Sequence, residues 1–179
     1  MKGIEIIEYE TCHQVYFEKF NRDWIEEMFV MEAVDEWVLT NPEEAIIRPG
    51  GAILMASYGD TIAGTVGLRK AGEKIFEFTK MAVDKNFRRL GIAEAISYAS
   101  FYKAKELGAE KIILYSNRKN AGAIKLYEKI GFNHVEVEKG VYERANVKME
   151  IDIETAVSNA DRFNKISESS KTMQYGISS

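Results

Sequence analysis

Met81-Ala82-Val83-Asp84-Lys85-Asn86-Phe87-Arg88-Arg89-Leu90-Gly91-Ile92-Ala93 passes from an apolar strand, through a basic turn, straight into a segment of helical periodicity. The first turn of a helix has unpaired backbone N–H groups and the positive end of the helix dipole, so it attracts anions. Arg88 and Arg89 add charge there, and Gly91 and Ala93 keep bulk out of the approach. The stretch therefore has the make-up of a cradle for a phosphate or pyrophosphate. A single glycine is too few for a dinucleotide fingerprint, and no Gly-Lys-Ser/Thr closes a P-loop. On these residues alone, an ordinary strand-to-helix turn with surface arginines stays open.

Working outward, Ile75 to Val83 reads as a strand. Gly91 to Leu107 reads as a helix with Ile92, Ile96, Ala99 and Tyr102 on one face and Gly108 as its left-handed cap, and Lys111 to Ser116 returns as a strand. A strand–helix–strand unit of this length requires a parallel pair with a right-handed crossover. Upstream, Ala52–Tyr58 and Thr61–Arg69 flank Gly59-Asp60, a hairpin linker, so these strands and the next pair antiparallel. Lys2–Tyr9 is a short strand. Two helices follow it, one through Phe17, Phe20, Trp24 and Met28 and one through Met31, Val34 and Val38. Asn41-Pro42 then opens a short helix that Pro49-Gly50-Gly51 stops.

Downstream, Asn120–Ile130 is a helix ended by Gly131, followed by strands Phe132–Val137 and Asn146–Ile153. The expected order is β-α-α-β-β-β-α-β-α-β-β: an α/β fold with a mixed, mostly antiparallel sheet, a central parallel pair and flanking helices. The expected domain is 1–153. Residues 154–179 are polar, with isolated Val157, Phe163, Ile166 and Tyr175, and read as an appended docking segment. It would rest on this subunit or, in a homodimer, on its partner, and be dispensable for folding.

Composition narrows the function. The 179 residues are 46% hydrophobic and 29% charged, enough for one core and too apolar for wholesale disorder. One cysteine, Cys12, closes no intrachain disulfide, and two separated histidines make no metal site, so a reducing cytoplasmic setting is expected. No apolar run approaches a membrane span. Residues 1–50 hold 4 basic and 12 acidic side chains, whereas 69–148 hold 17 basic and 10 acidic. That asymmetry suits a small polyanion better than a nucleic acid, which the acidic half would repel.

The second informative stretch is Asn120-Ala121-Gly122-Ala123-Ile124-Lys125-Leu126-Tyr127-Glu128-Lys129-Ile130-Gly131-Phe132. It resembles the pattern Asn-x-x-Ala-Ile-x-Leu-Tyr-x-Lys-x-Gly-Phe of the GNAT superfamily of N-acetyltransferases. Arg88 to Ala93 is similar to that superfamily's Gln/Arg-x-x-Gly-x-Gly/Ala loop for acetyl-coenzyme A (acetyl-CoA), Ala93 standing where many members have glycine. The resemblance is tight from 75 to 132 and rests on element order before that.

The resemblance implies that Met81 and Val83 hold the pantetheine arm through their backbones and that Arg88, Arg89, Leu90, Gly91, Ile92 and Ala93 hold the pyrophosphate. It also places Asn117, Asn120, Ala123 and Tyr127 along the cofactor. A strand edge pairs with pantetheine amides as it would with a peptide. In such enzymes an amine attacks the thioester directly, which needs a base, an oxyanion donor and an acid. Glu77, eleven residues before Arg88, occupies the position where histone-acetylating members carry a base. The Met81 N–H would meet the oxyanion, and Tyr127 would protonate the leaving thiolate. The implied activity is acetyl transfer from acetyl-CoA to a primary amine on a small molecule, a lysine or an N-terminus, with no metal. The alternatives are plainer: Tyr127 as a core aromatic, Glu77 as an ion-pair partner of Lys80, Asn117 and Asn120 as helix caps, and the whole as a non-catalytic acyl-CoA sensor. The acidic cluster Glu26, Glu27, Glu32, Asp35 and Glu36 would attract a cationic amine or simply be solvated.

Overall fold

A computed structural model describes residues 3–175. Seven strands, β1 (Ile4–Glu8), β2 (Ala52–Tyr58), β3 (Thr61–Lys70), β4 (Ile75–Val83), β5 (Lys111–Ser116), β6 (Asn133–Val135) and β7 (Val147–Asp152), form one sheet in the order β1-β2-β3-β4-β5-β7-β6. Its helices are α1 (Gln14–Met28), α2 (Ala33–Thr40), α3 (Ile92–Glu106), α4 (Ala121–Ile130) and α5 (Ile153–Tyr175). A π-helical turn over Glu43–Ile47 is the short helix expected after Pro42. The sheet is antiparallel except for β4 and β5, the expected parallel pair, whose crossover is α3. The anticipated fold class stands, as does the element order as far as β7; the helix α5 that follows is not in the expected order.

Both faces of the sheet are covered. β2 is buried almost throughout because its side chains alternate between two cores: Leu54 and Ala56 join a large cluster with Phe76, Phe78, Ile96, Phe101, Ile112 and Met149, while Ile53 and Met55 join Phe17, Ile25, Leu39 and Ile46 under α1 and α2. Each fully buried side chain of this size contributes roughly 1.5–3 kcal/mol. By the same alternation Glu77, between Phe76 and Phe78, faces the α1–α2 layer and is nevertheless only 2% exposed.

Two expectations differ in extent. The strand expected at 132–137 is three residues long, and 136–146 instead forms a loop whose Tyr142 and Arg144 reach β4 and α2. Residues 153–175 form one long helix along α3. Val157 and Phe163 pack on the large core, Phe163 stacks on Tyr98 at 4.6 Å, and Ala156 and Ala160 are fully buried. Ile166, grouped with them by spacing, is 67% exposed. The Tyr102 hydroxyl donates to Asp161 at 2.6 Å, and the Asn159 amide donates to the Ile130 carbonyl at 3.1 Å. The helix comes so close that a Cβ on Gly131, at φ 113°, would lie 2.3 Å from Asn159.

These contacts make the boundary at 153 testable. A chain ending at Asp152 is expected to lose more than about 3 kcal/mol in urea unfolding through the apolar surface it exposes on α3. An unchanged midpoint would make 154–179 a detachable segment.

Candidate active site

β4 and β5 are hydrogen-bonded neighbours over three residue pairs only, Ile75 with Lys111, Phe76 with Ile112 and Glu77 with Ile113. Beyond them the strands part. On the other edge of β4 the register slips between Thr65 and Gly67, leaving Lys80 and Met81 opposite Val66 alone. This is a β-bulge, which bends its strand and re-aims its groups. Lys80 sits there at φ 53°, a left-handed conformation costing a non-glycine residue about 1 kcal/mol. The opening is a cleft of about 460 Å³, lined from the β4 terminus inward by Arg88, Ala93, Val83, Met81, Ala123, Tyr127, Asn120 and Asn117, and at its inner end by Glu77, Tyr142, Tyr115, Trp24, Phe29 and Arg144.

At the outer end, Asp84 accepts from the Asn86 N–H at 2.8 Å and closes a 3₁₀ turn over Lys85–Phe87. Left-handed residues follow at Arg89 (φ 62°) and Gly91 (φ 83°), and α3 starts at Ile92 with Gly91 as its N-cap and no side chain capping it. The positive φ falls on Gly91 rather than Ala93, which is helical, so alanine in place of the glycine many GNAT members carry at that position is unstrained. A Cβ on Gly91 would meet open space, and no side chain among the described residues makes a cap hydrogen bond at this helix start. Arg88 and Ala93 reach the cleft. Arg89 and Leu90 are exposed outside it, and the Ile92 side chain is core, leaving only its backbone for a ligand.

Tyr127, on α4, is 8% exposed and packs edge-on against Phe78 and Phe132. It is a core aromatic and a cleft residue at once. Burial pushes its phenol well above the usual value of 10.0, so it stays protonated. Its hydroxyl has no hydrogen-bond partner among the described residues. Asn120 is the N-cap of α4 yet makes no side-chain cap bond. Asn117 is committed to structure: its Oδ1 accepts from the Lys119 N–H at 2.9 Å and its amide donates to the Arg144 carbonyl.

At the inner end Glu77 is paired, though not with Lys80. Its Oε2 accepts from Arg69 Nε at 3.0 Å and from a second guanidinium nitrogen, and its Oε1 accepts from the Tyr142 hydroxyl at 2.8 Å. Arg69 stands opposite Glu77 in the β3–β4 ladder, whereas the bulge swings Lys80 to Asp35, 2.7 Å away. Burial and the neighbouring Glu77 push the Tyr142 phenol up. Asp35 is fully buried. Burial alone would raise its pKa, but Arg144 and Lys80 more than offset this and bring it down to about 2. Arg144 also reaches Glu32 at 2.8 Å, fastening the 136–146 loop to the start of α2. The acidic cluster is thus largely neutralised from within: Glu26 and Glu36 pair with Arg22, and of the five only Glu27 lines the cleft, with no ion pair among the described residues. Tyr142, Arg144, Lys80 and Tyr115 escaped the sequence pattern because their contacts cross many tens of residues with no local spacing.

The geometry defines a mixed α/β fold with a cleft where the parallel pair separates. The model of the acetyltransferase (GNAT) family matches residues 9–132, and the chain belongs to that family. It is 31% identical over 90 residues to GCN5-related N-acetyltransferase 4, chloroplastic, of Arabidopsis thaliana, a match covering 50% of this chain and 31% of that protein. A GNAT-family acetyltransferase from Staphylococcus aureus superposes with a TM-score of 0.76 at 23% identity, covering 84% of this chain and 99% of that one. Spermidine N-acetyltransferase from Vibrio cholerae, solved with CoA and spermine, gives 0.65 at 17% identity over 86% and 98%. At these identities the structures share the fold. Among the described residues no group of three His, Cys, Asp or Glu side chains gathers as for a metal, and no helix is long and apolar enough to cross a membrane.

Asp35→Asn leaves two cations around a buried neutral amide and is expected to destabilise by about 3 kcal/mol at pH 7. The sign with pH follows from a folded pKa below the unfolded 3.8: the contribution is complete above about pH 4 and fades toward pH 2. Urea midpoints should therefore show the gap between wild type and Asp35→Asn narrowing by about 2 kcal/mol over that window. A gap independent of pH would mean Asp35 is not the charge that holds Lys80 and Arg144.

Proposed function

We propose that this protein transfers the acetyl group of acetyl-CoA to a primary amine by direct attack within a ternary complex. The observation that carries the proposal is the unpartnered Tyr127 hydroxyl on the wall of a cleft that has an open helix N-terminus at one end and a carboxylate–phenol pair at the other.

The residues present suit the cosubstrate. The Arg88–Ala93 turn would take the pyrophosphate through backbone N–H groups and the Arg88 guanidinium, with Gly91 leaving the space a side chain would fill. The free edge of β4 at Met81 and Val83 offers backbone groups to the pantetheine amides, and Asn120 and Ala123 face them across the cleft. Acetyl-CoA supplies an activated acyl carbon and a thiol leaving group. The Met81 N–H would stabilise the negative charge that develops on the acyl oxygen.

The amine enters at the Glu77 end. Because Tyr142 donates to Glu77 Oε1, the phenol oxygen can accept an amine proton while its own proton passes to the carboxylate. One proton leaves nitrogen and one arrives on Glu77, with Tyr142 unchanged. Arg69 occupies the other carboxylate oxygen and fixes its orientation. Tyr127 gives its proton to the departing sulfur, and the burial that holds that proton also penalises a thiolate left in the same desolvated site. Similarity to a polyamine acetyltransferase supports an amine acceptor, whether a small molecule, a lysine or an N-terminus. We place the activity in the cytoplasm, where the exposed Cys12 stays a thiol.

The competing function is an acyl-CoA sensor that binds without turnover, favoured by a Glu77 whose oxygens are both engaged. Thiol release with a panel of primary amines separates the two. Tyr127→Phe keeps the ring packing and is expected to lower kcat by ~10²-fold or more with little change in acetyl-CoA affinity. A variant with wild-type turnover would leave Tyr127 a core residue only.

A further inference from the structure

Asn21 is fully buried in the middle of α1, a position where helix packing on the sheet would be served by an apolar side chain. A buried amide is tolerated only when its donors and acceptor are matched. The Asn21 amide nitrogen donates to the Phe17 carbonyl at 2.9 Å and to the Lys80 carbonyl at 3.2 Å, and its Oδ1 accepts from the Trp24 indole at 3.3 Å. The bond to Lys80 is the one that spans 59 residues, and it ends in the bulge of β4.

The geometry points to Asn21 as a positioning residue for the oxyanion donor, an assignment that rests on the acetyl-transfer function proposed above. Like every other peptide unit described, the one joining Lys80 to Met81 is not cis, so its C=O and N–H point in opposite directions. Holding the Lys80 carbonyl on Asn21 sets the Met81 N–H in the opposite direction, and Met81 lines the cleft. The same bulge residue is gripped at its far end, where the Lys80 ammonium meets Asp35 on α2. Two helices on the acceptor side thereby fix the orientation of one peptide plane that Lys80, at φ 53°, adopts against its own preference. Rotation of that plane would leave Tyr127, Glu77 and the Arg88–Ala93 turn in place and misdirect only the N–H.

Asn21→Leu, near in volume, removes both donated bonds. With acetyl-CoA carrying a 13C-labelled carbonyl and no acceptor present, bound wild type should show a carbonyl stretch lowered from that of free acetyl-CoA, because the N–H polarises the bond. Asn21→Leu should bind acetyl-CoA with wild-type affinity, show the stretch returned most of the way to the free value, and lose 10- to 100-fold in kcat with KM for acetyl-CoA unchanged. Should the leucine variant not fold, Asn21→Ser, too short to reach Lys80, carries the same expectation. A folded, acetyl-CoA-binding variant that keeps the lowered stretch overturns the assignment, as does a loss confined to stability or to KM. Wild type that binds acetyl-CoA without releasing thiol to any amine would instead count against the proposed acetyl transfer.

Discussion

The ladder between β4 and β5 runs for three residue pairs and then stops, although both strands continue. Parallel strands in a covered sheet gain by pairing along their full length, so the gap has to be held open. The bulge at Lys80–Met81 does this. It bends β4 away from its neighbour, and the left-handed Lys80 is secured by Asn21 and Asp35. The gap leaves β4 a free edge beside Tyr127 and Glu77, which line the same cleft.

Around that gap the charges are arranged in pairs that neutralise one another while fixing loops. Asp35 binds Lys80 and Arg144 together, so the bulge, the start of α2 and the 136–146 loop share one buried carboxylate. Glu77 likewise links β3, through Arg69, to the same loop, through Tyr142. The inner end of the cleft is therefore a polar network with little net charge, while Arg88 and the open helix start make the outer end attractive to anions. An elongated ligand with a phosphate-rich end and a neutral acyl end matches that gradient.

Where residues adjacent in sequence meet, the sequence was legible. The strand–turn–helix of 81–93 and the Asn120–Phe132 segment carry their periodicity, caps and small residues within a dozen positions, and both fold as read. What escaped depends on separation or on small side chains. Glu77 takes Arg69 because the two stand directly opposite each other in the β3–β4 ladder, a pairing that strand register sets and local spacing does not show, while Lys80 sits in the bulge and is claimed by Asp35. Tyr142 and Arg144 lie in a loop without periodicity, and their partners are fixed only by tertiary contact. The C-terminal helix looked too sparse for a core because Ala156 and Ala160, its most buried contacts, count for little in an apolar pattern yet allow the close approach that α3 and Gly131 require.

Backbone amide exchange followed with and without acetyl-CoA tests the central claim, that the gap beside β4 receives this ligand as an added strand. Protection is expected at Met81 and Val83 and across Arg88–Ala93, with β1 and β2 unaffected. Acetyl-CoA that binds yet leaves those amides exchanging freely, or protects β1 and β2 instead, would contradict it.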